Sequence, residues 1–147
     1  MTGKLLCARF AAPCGYIRQD LGKLDGVAWL RVVERTKRGL ETSAHTLQYC
    51  FPEMFKGLRT LARATGRETF SLENVAEYWR ERHVDRPGDC RVQVVRVVAN
   101  DHPVLAEVST PDRGFVVIKY YPDVEVRVGD LVRIHQRCII EKVGDES

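Results

Sequence analysis

Hydrophobic and polar residues change their spacing once along the chain, near residue 87. Before that point, apolar residues recur every three or four positions, as on one face of a helix. After it they alternate with polar residues or form short runs, as strands do. The turn cluster Asp85-Arg-Pro-Gly-Asp89 marks the change. The sequence therefore predicts an α+β fold, with a helical domain over residues 1–87 and a small β-barrel over residues 88–147.

The front half predicts four helices or so. Residues 3–12 are apolar and fit either a helix or a buried strand, which Pro13 ends. Ser43 and Ser71 are expected to cap helices, and Gly66 to end one. The predicted helices run from Leu24 to Arg38, from Ser43 to Phe51, from Pro52 to Ala64 and from Ser71 to about His83.

The back half predicts about five short strands. They are expected at Arg91 to Val98, Val104 to Ser109, Phe115 to Tyr121, Val124 to Val126 and from Leu131 onward. An open sheet of this size would leave unprotected edges, so we expect a closed or nearly closed, OB-like, antiparallel barrel. A phase slip at Val94-Val95 predicts a β-bulge. The predicted core contains Val94, Val97, Val117 and Leu131.

The last of these strands follows a turn at Gly129-Asp130. Glycine accepts a positive φ there, and the aspartate side chain can bond the backbone just ahead of the strand. Because strand side chains alternate, Leu131, Arg133 and His135 are expected on one face of the sheet.

Composition is that of a soluble globular protein, with 44% hydrophobic and 29% charged residues. The apolar run from Leu5 to Ala12 is interrupted by Arg9 and is too short to cross a bilayer. No signal-peptide layout is present, so we expect a cytoplasmic protein. The five cysteines are scattered without a C-x-x-C pair, which favours reduced thiols over a disulfide framework.

Charge is unevenly distributed between the two halves. Residues 1–87 carry 15 Lys/Arg against 10 Asp/Glu, whereas residues 88–147 carry 8 against 10. The basic side chains could grip phosphates, and OB-like barrels often bind nucleic acid. One alternative is therefore a protein that binds single-stranded DNA or RNA, with Tyr120-Tyr121 as its obvious stacking pair. Its contacts would be made by Arg31, Arg35, Arg38, Arg59 and Arg63.

The late strand Val128-Gly-Asp-Leu-Val-Arg-Ile-His135, followed by Ile139-Ile140, resembles a family of known proteins. It is similar to the HypC/HupF hydrogenase-maturation chaperones, which are small OB-like barrels that help carry an iron group to the hydrogenase large subunit. The resemblance covers residues 90–143. It maps the functional histidine of the family onto His135 and its cysteine onto Cys90, which is then expected to open the first strand.

The resemblance implies a non-enzymatic accessory protein that docks on a hydrogenase subunit or a maturation factor. Cys90 and His135 would be metal ligands, because a thiolate and an imidazole suit iron or zinc. We expect His135, Arg133 and Arg137 to contact the protein partner. In the competing interpretation, Cys90 is a small buried hydrophobic residue and His135 a solvated strand end.

A second group of possible metal ligands lies in the front half. Three thiols and an imidazole, from Cys7, Cys14, His45 and Cys50, would satisfy tetrahedral zinc. Their spacing matches no standard zinc motif, so buried free cysteines are the preferred interpretation. The sequence contains neither a phosphate-cradling glycine loop nor an evident acid/base carboxylate pair, and a non-enzymatic protein is the preferred interpretation over an enzyme with a Cys-His nucleophile.

Overall fold

The computed structural model describes residues 1–15, 22 and 25–144. Contacts within the chain define two compact units, one ending at Val84 and the other beginning at Asp85. The described part of the first unit contains helices, and the second contains a five-stranded closed sheet. The fold is therefore α+β, with a helical N-terminal part and a small OB-like barrel, as predicted.

The first unit has five α-helices among its described residues. They are α1 Gly3–Ala11, α2 Gly26–Lys37, α3 Ala44–Cys50, α4 Pro52–Thr65 and α5 Leu72–Arg80. Short 3-10 turns follow α1 at Ala12–Cys14 and α5 at His83–Asp85. Residues 3–11 thus form a helix rather than a buried strand. The predicted start of the second helix, Leu24, lies outside the described residues.

The predicted helix caps are confirmed. Ser43 and Ser71 accept hydrogen bonds from the amides of Thr46 and Asn74 through their hydroxyl oxygens, each at 3.2 Å. Gly66 follows α4 with a φ of 72°, the left-handed conformation that glycine adopts without steric cost. These local bonds satisfy backbone groups that the helices themselves leave unpaired.

The helical core is built around an aromatic stack between α1 and α5. The rings of Phe10 and Trp79 are nearly parallel, with centroids 5.3 Å apart. The ring of His83 lies 4.2 Å from that of Trp79. Nearby, the buried Asn74 donates from Nδ2 to the carbonyl of Leu58 at 3.0 Å, which ties α5 to α4.

None of the described helices is long and apolar enough to cross a membrane. The 14-residue α4 is the longest of them. A membrane-spanning helix needs about 20 predominantly apolar residues.

The barrel strands are β1 Gln93–Ala99, β2 Leu105–Ser109, β3 Gly114–Ile118, β4 Leu131–His135 and β5 Cys138–Val143. They close in the order β1-β2-β3-β5-β4, with β4 also paired to β1. All neighbours are antiparallel except β3 and β5, which pair in parallel at Ile118 and Cys138. The fully antiparallel prediction is wrong there, because an even number of chain reversals separates β3 from β5.

The predicted strand from Val124 to Val126 is not formed. Val124 donates its amide to the carbonyl of Tyr121 at 3.1 Å, which makes a turn. The carbonyl of Val126 accepts a bond from the side chain of Asn100 instead of from a neighbouring strand. The segment between β3 and β4 is therefore a connecting loop.

The barrel core differs in part from the prediction. Val97 and Val117 are buried, as expected. Val94 is 44% exposed and Leu131 is only partly buried, so both core assignments are wrong. The inward positions of β4 are instead Val132 and Ile134.

The bulge in β1 lies at a different position from the predicted one, which explains why the predicted inward and outward residues of this strand were wrong. Pairing of β1 with β4 is regular through Val94 and Val95, where the bulge was predicted. The irregularity lies between Val97 and Ala99, in the pairing with β2. Because the pleat stays in phase up to Val97, Val94 faces outward and Val95 inward.

The turn ahead of β4 has the predicted chemistry. Gly129 has a φ of 96°. The amide of Arg127 donates to Oδ2 of Asp130 at 2.9 Å, and Nζ of Lys142 lies 3.3 Å from the same oxygen. The bond from Arg127, supported by the charge of Lys142, holds the pKa of Asp130 below its usual value. Asp130 therefore fixes the direction in which β4 begins.

Candidate functional site

The candidate site is the end of the barrel where β4 turns back into β5. Gln136 and Arg137 form the turn, with φ angles of 52° and 58°. A positive φ is uncommon for residues other than glycine, although two-residue hairpin turns require it. Ile118 donates its amide to the carbonyl of Arg137 at 2.8 Å. Neighbouring backbone thus holds the turn in an unfavourable conformation, as is frequent at functional sites.

A short 3-10 turn, Gly88–Cys90, is attached to this end of the barrel. The amide of Gln136 donates to the carbonyl of Asp89 at 2.8 Å. The side chains add an ion pair, with Nε of Arg137 lying 3.3 Å from Oδ1 of Asp89. Backbone and side chain together fix the segment before β1 against the β4–β5 turn.

This attachment brings Cys90 and His135 to the same end of the barrel. Cys90 follows Asp89 in the chain, and His135 precedes Gln136, so the hydrogen bond between Asp89 and Gln136 brings all four residues close together. Standard peptide dimensions then place the two Cα atoms within about 8 Å of each other. Cys90 is partly exposed, whereas His135 is fully buried.

Two expectations for these residues are wrong. Cys90 does not open the first strand, because it lies in the 3-10 turn and β1 begins at Gln93. His135 is not a solvated strand end, since its exposed fraction is 0%.

The number of potential ligands limits the chemistry of this site. Cys138 lies opposite His135 in the pairing of β4 with β5, and Asp89 is also nearby. Even so, the described residues contain no group of three His, Cys, Asp or Glu side chains arranged to hold a metal ion. A metal bound here would take at most two ligands from Cys90 and His135, leaving its other positions open. Metal binding itself stays a prediction.

The two arginines predicted to contact a partner differ in accessibility. Nη1 of Arg133 lies 2.6 Å from Oε2 of Glu141 across the strands, and both side chains are mostly buried. The side chain of Arg137 is 51% exposed beside Asp89. Arg137 is therefore the one within reach of a partner.

The front-half cysteines do not form a zinc site, since the described residues contain no metal-binding group. Sγ of Cys7 donates to Sδ of Met54 at 3.2 Å, and burial raises the pKa of this thiol to about 12. A protonated thiol is neither a metal ligand nor a nucleophile. None of the five cysteines forms a disulfide, and Cys7, Cys50 and Cys138 are buried.

The five arginines of the nucleic-acid alternative are exposed side chains of the helical unit. They are Arg31, Arg35 and Arg38 at α2, and Arg59 and Arg63 on α4. Some already have protein partners. Nε of Arg35 donates to the carbonyl of Glu41 at 3.1 Å, and Nη1 of Arg38 lies 3.6 Å from Oε1 of Glu34.

Tyr120 and Tyr121, the expected stacking pair, are buried. Their rings are nearly perpendicular, with centroids 4.9 Å apart. Neither ring offers an open face on which a nucleic-acid base could stack, so the expectation for this pair is wrong.

Sequence reasoning missed Asp89 and the conformation of the turn. Gln-Arg is not a dipeptide typical of left-handed turns, which favour Gly, Asn and Asp. In the sequence Asp89 is one residue of a turn cluster, and nothing beside it indicates a bond with Gln136, which is 47 residues later in the chain.

The chain matches no protein-family model, and neither a curated protein nor a solved structure is significantly similar to it. The class defined by its fold is an α+β protein that carries an OB-like barrel. The similarity of its late strand to the HypC/HupF family stays a prediction.

Proposed function

We propose that the chain is a non-enzymatic accessory protein, similar to HypC, that docks on a hydrogenase-type metalloenzyme subunit or on its maturation factors. The hydrogen bond between Gln136 and Asp89 carries this proposal, because it brings Cys90 and His135 together at one end of an OB-like barrel. The sequence resemblance requires these two residues to meet there.

The two residues would have different roles. Cys90 is partly exposed and can present a thiolate, which is a good ligand for iron or zinc. His135 is buried, so its imidazole would support the metal from the protein side. Positions left open on the metal would be filled by the partner or by the group being transferred.

The outer surface of the barrel supports a protein partner. Six aliphatic side chains of the barrel unit are exposed, and we call them the outer aliphatic surface: Val94, Val98, Val104, Val116, Ile118 and Val128. Val116 and Ile118 share a face of β3, and Gly129 next to Val128 donates its amide to the carbonyl of Val97. Contiguous exposed apolar patches mark protein interaction sites, and these side chains are the apolar surface the barrel offers for one.

Cobalt(II) titration tests the metal site, because a cobalt–thiolate bond produces a charge-transfer absorption. The unaltered chain is expected to show this band, and Cys90→Ser to abolish it. His135→Gln should weaken cobalt binding at least about tenfold, since one of two ligands is lost. Cys14→Ser is the matched control, because Cys14 is also partly exposed but lies in the helical unit. The same variants are then tested for binding to a purified hydrogenase large-subunit precursor.

Thermal unfolding accompanies these titrations. Glutamine is preferred to alanine at position 135, because truncating a fully buried side chain would lower stability regardless of any metal. A thiolate band that survives Cys90→Ser, or disappears equally in Cys14→Ser, would contradict the metal site. Cobalt binding without precursor binding would exclude that subunit as the partner.

Nucleic-acid binding is tested by its salt dependence. A single-strand binder that uses the five arginines should lose affinity steeply between roughly 50 and 200 mM salt, and Arg59→Gln with Arg63→Gln should flatten that slope. We expect no measurable binding of a poly-dT oligonucleotide at low salt, because the tyrosine pair is buried. Fluorescence anisotropy measures this directly. Tight, salt-sensitive binding would instead favour the nucleic-acid function.

A further inference from the structure

A cleft in the helical unit lies between α2 and α3. Its volume is about 530 Å³, which is the size of pockets that hold small organic ligands. The residues around it come from the two helices and the segment that joins them. They are Ala28, Arg31, Val32, Arg35, Thr42, Ser43, His45, Thr46 and Tyr49.

The cleft has a basic wall and an aromatic wall. Arg31 and Arg35 are four residues apart on α2 and therefore share one face of that helix. His45 and Tyr49 have the same spacing on α3. The residues that line the cleft include no Asp or Glu. An anionic group between the walls would face two guanidinium groups, while the carboxylate of Asp25 lies outside the lining, 3.3 Å from the hydroxyl of Tyr49.

One of the guanidinium groups is held in place before any ligand binds. Nε of Arg35 donates to the carbonyl of Glu41 at 3.1 Å, and Nη2 donates to the same oxygen. Nη1 takes no part in these two bonds. A preset side chain loses less conformational freedom on binding, which favours affinity.

A buried hydroxyl in the lining has no hydrogen-bond partner among the described residues. Thr42 is 3% exposed, and its Oγ1 is one of the unsatisfied buried atoms. Buried polar atoms are nearly always hydrogen-bonded in folded proteins. Oγ1 itself has almost no exposed surface, so the Thr42 side chain must turn toward the cleft before a ligand oxygen can supply the missing acceptor.

From these observations we infer that the cleft binds the phosphate monoester of a small organic molecule. Guanidinium groups bind phosphate oxygens through paired hydrogen bonds, and a phosphate has enough terminal oxygens for both arginines and the Thr42 hydroxyl. Ala28 gives the organic part an apolar surface, with the ring of Tyr49 opposite. This binding site is in the helical unit and does not depend on the docking function of the barrel.

Phenyl phosphate is the probe, because it joins a phosphate to a flat apolar body. Titration of the full chain is followed by two-dimensional ¹H–¹⁵N NMR. Inorganic phosphate and phenol, the two parts of the probe, are titrated separately for comparison. Shifts are expected at residues 26–35 and 42–49. Phenyl phosphate should bind at least about tenfold more tightly than phenol, since the charge-assisted bonds require the phosphate.

Two variants separate binding from folding. Arg31→Gln should weaken binding of phenyl phosphate at least about tenfold. Thr42→Val should also weaken it, while leaving the melting temperature unchanged or raising it, because valine removes an unsatisfied hydroxyl at nearly constant shape. Arg59→Gln and Arg63→Gln remove the same charge from α4, away from the cleft, and should leave binding unchanged.

Three results would overturn the inference. Phenol binding as tightly as phenyl phosphate would make the cleft a purely apolar pocket. Equal losses in the α4 controls would indicate nonspecific charge attraction. The absence of shifts at residues 26–35 and 42–49 at millimolar probe would exclude the site.

Discussion

Phe10→Ala is expected to lower the free energy of unfolding by about 3–5 kcal/mol, the usual cost of truncating a buried phenylalanine. Phe10 has no exposed surface and stacks on Trp79 at 5.3 Å. Alanine would therefore remove this stacking contact between α1 and α5 and leave a cavity beside the indole. Urea denaturation, followed by tryptophan fluorescence and helical circular dichroism, measures the change.

Two further variants serve as controls for Phe10→Ala. Phe10→Leu retains most of the volume and should cost less. Phe55→Ala removes an equally large ring that is only partly buried and tilted against Phe70, so its effect should also be smaller. A loss below about 1 kcal/mol for Phe10→Ala would mean that α1 is not packed on α5 as described.

The helix ends could be predicted because their chemistry is local. Ser43 and Ser71 bond amides three residues ahead, and Gly66 needs only its own φ angle. Residues 3–11 were ambiguous for the opposite reason. Every residue from Leu6 to Ala11 is buried, so α1 lacks the polar face that makes a helix recognisable in sequence.

Barrel closure was predictable, but the phase of two strands was not. Val94 and Val95 are both apolar, and only the pairing with β4 shows which one faces inward. In β4, Leu131 begins a face that also carries Arg133, while Val132 and Ile134 form the other face. Because both faces of β4 begin with an apolar residue, the sequence does not show which face points inward until the strand register is known.

The candidate sites depend on contacts between residues far apart in sequence. Cys90 and His135 meet through the carbonyl of Asp89, a backbone atom whose partner no side-chain pattern reveals. The spacing of Arg31 and Arg35 is visible in the sequence, but the facing positions of His45 and Tyr49 follow from the packing of α2 against α3. Burial of the Thr42 hydroxyl has no signal in the sequence at all.

The register of β4 gives a second prediction of similar size. Ile134→Ala is expected to lower the free energy of unfolding by about 2–5 kcal/mol, because Ile134 is 2% exposed in the barrel core and truncation would leave a cavity among its neighbours. Leu131→Ala, in the same strand, should cost less than about 1 kcal/mol, since Leu131 lies on the outward face and is only partly buried.

The two substitutions in β4 must be compared within one experiment, because both alter strand propensity and only one alters the core. Guanidinium denaturation followed by circular dichroism at strand wavelengths reports on the barrel, and the denaturant slope shows whether the unfolding transition stays cooperative. Val132→Ala should follow Ile134→Ala in direction, since Val132 is also fully buried. If Leu131→Ala costs more than Ile134→Ala, the side chains of β4 point the other way. That reversal would place the face shared by Leu131, Arg133 and His135 inside the barrel.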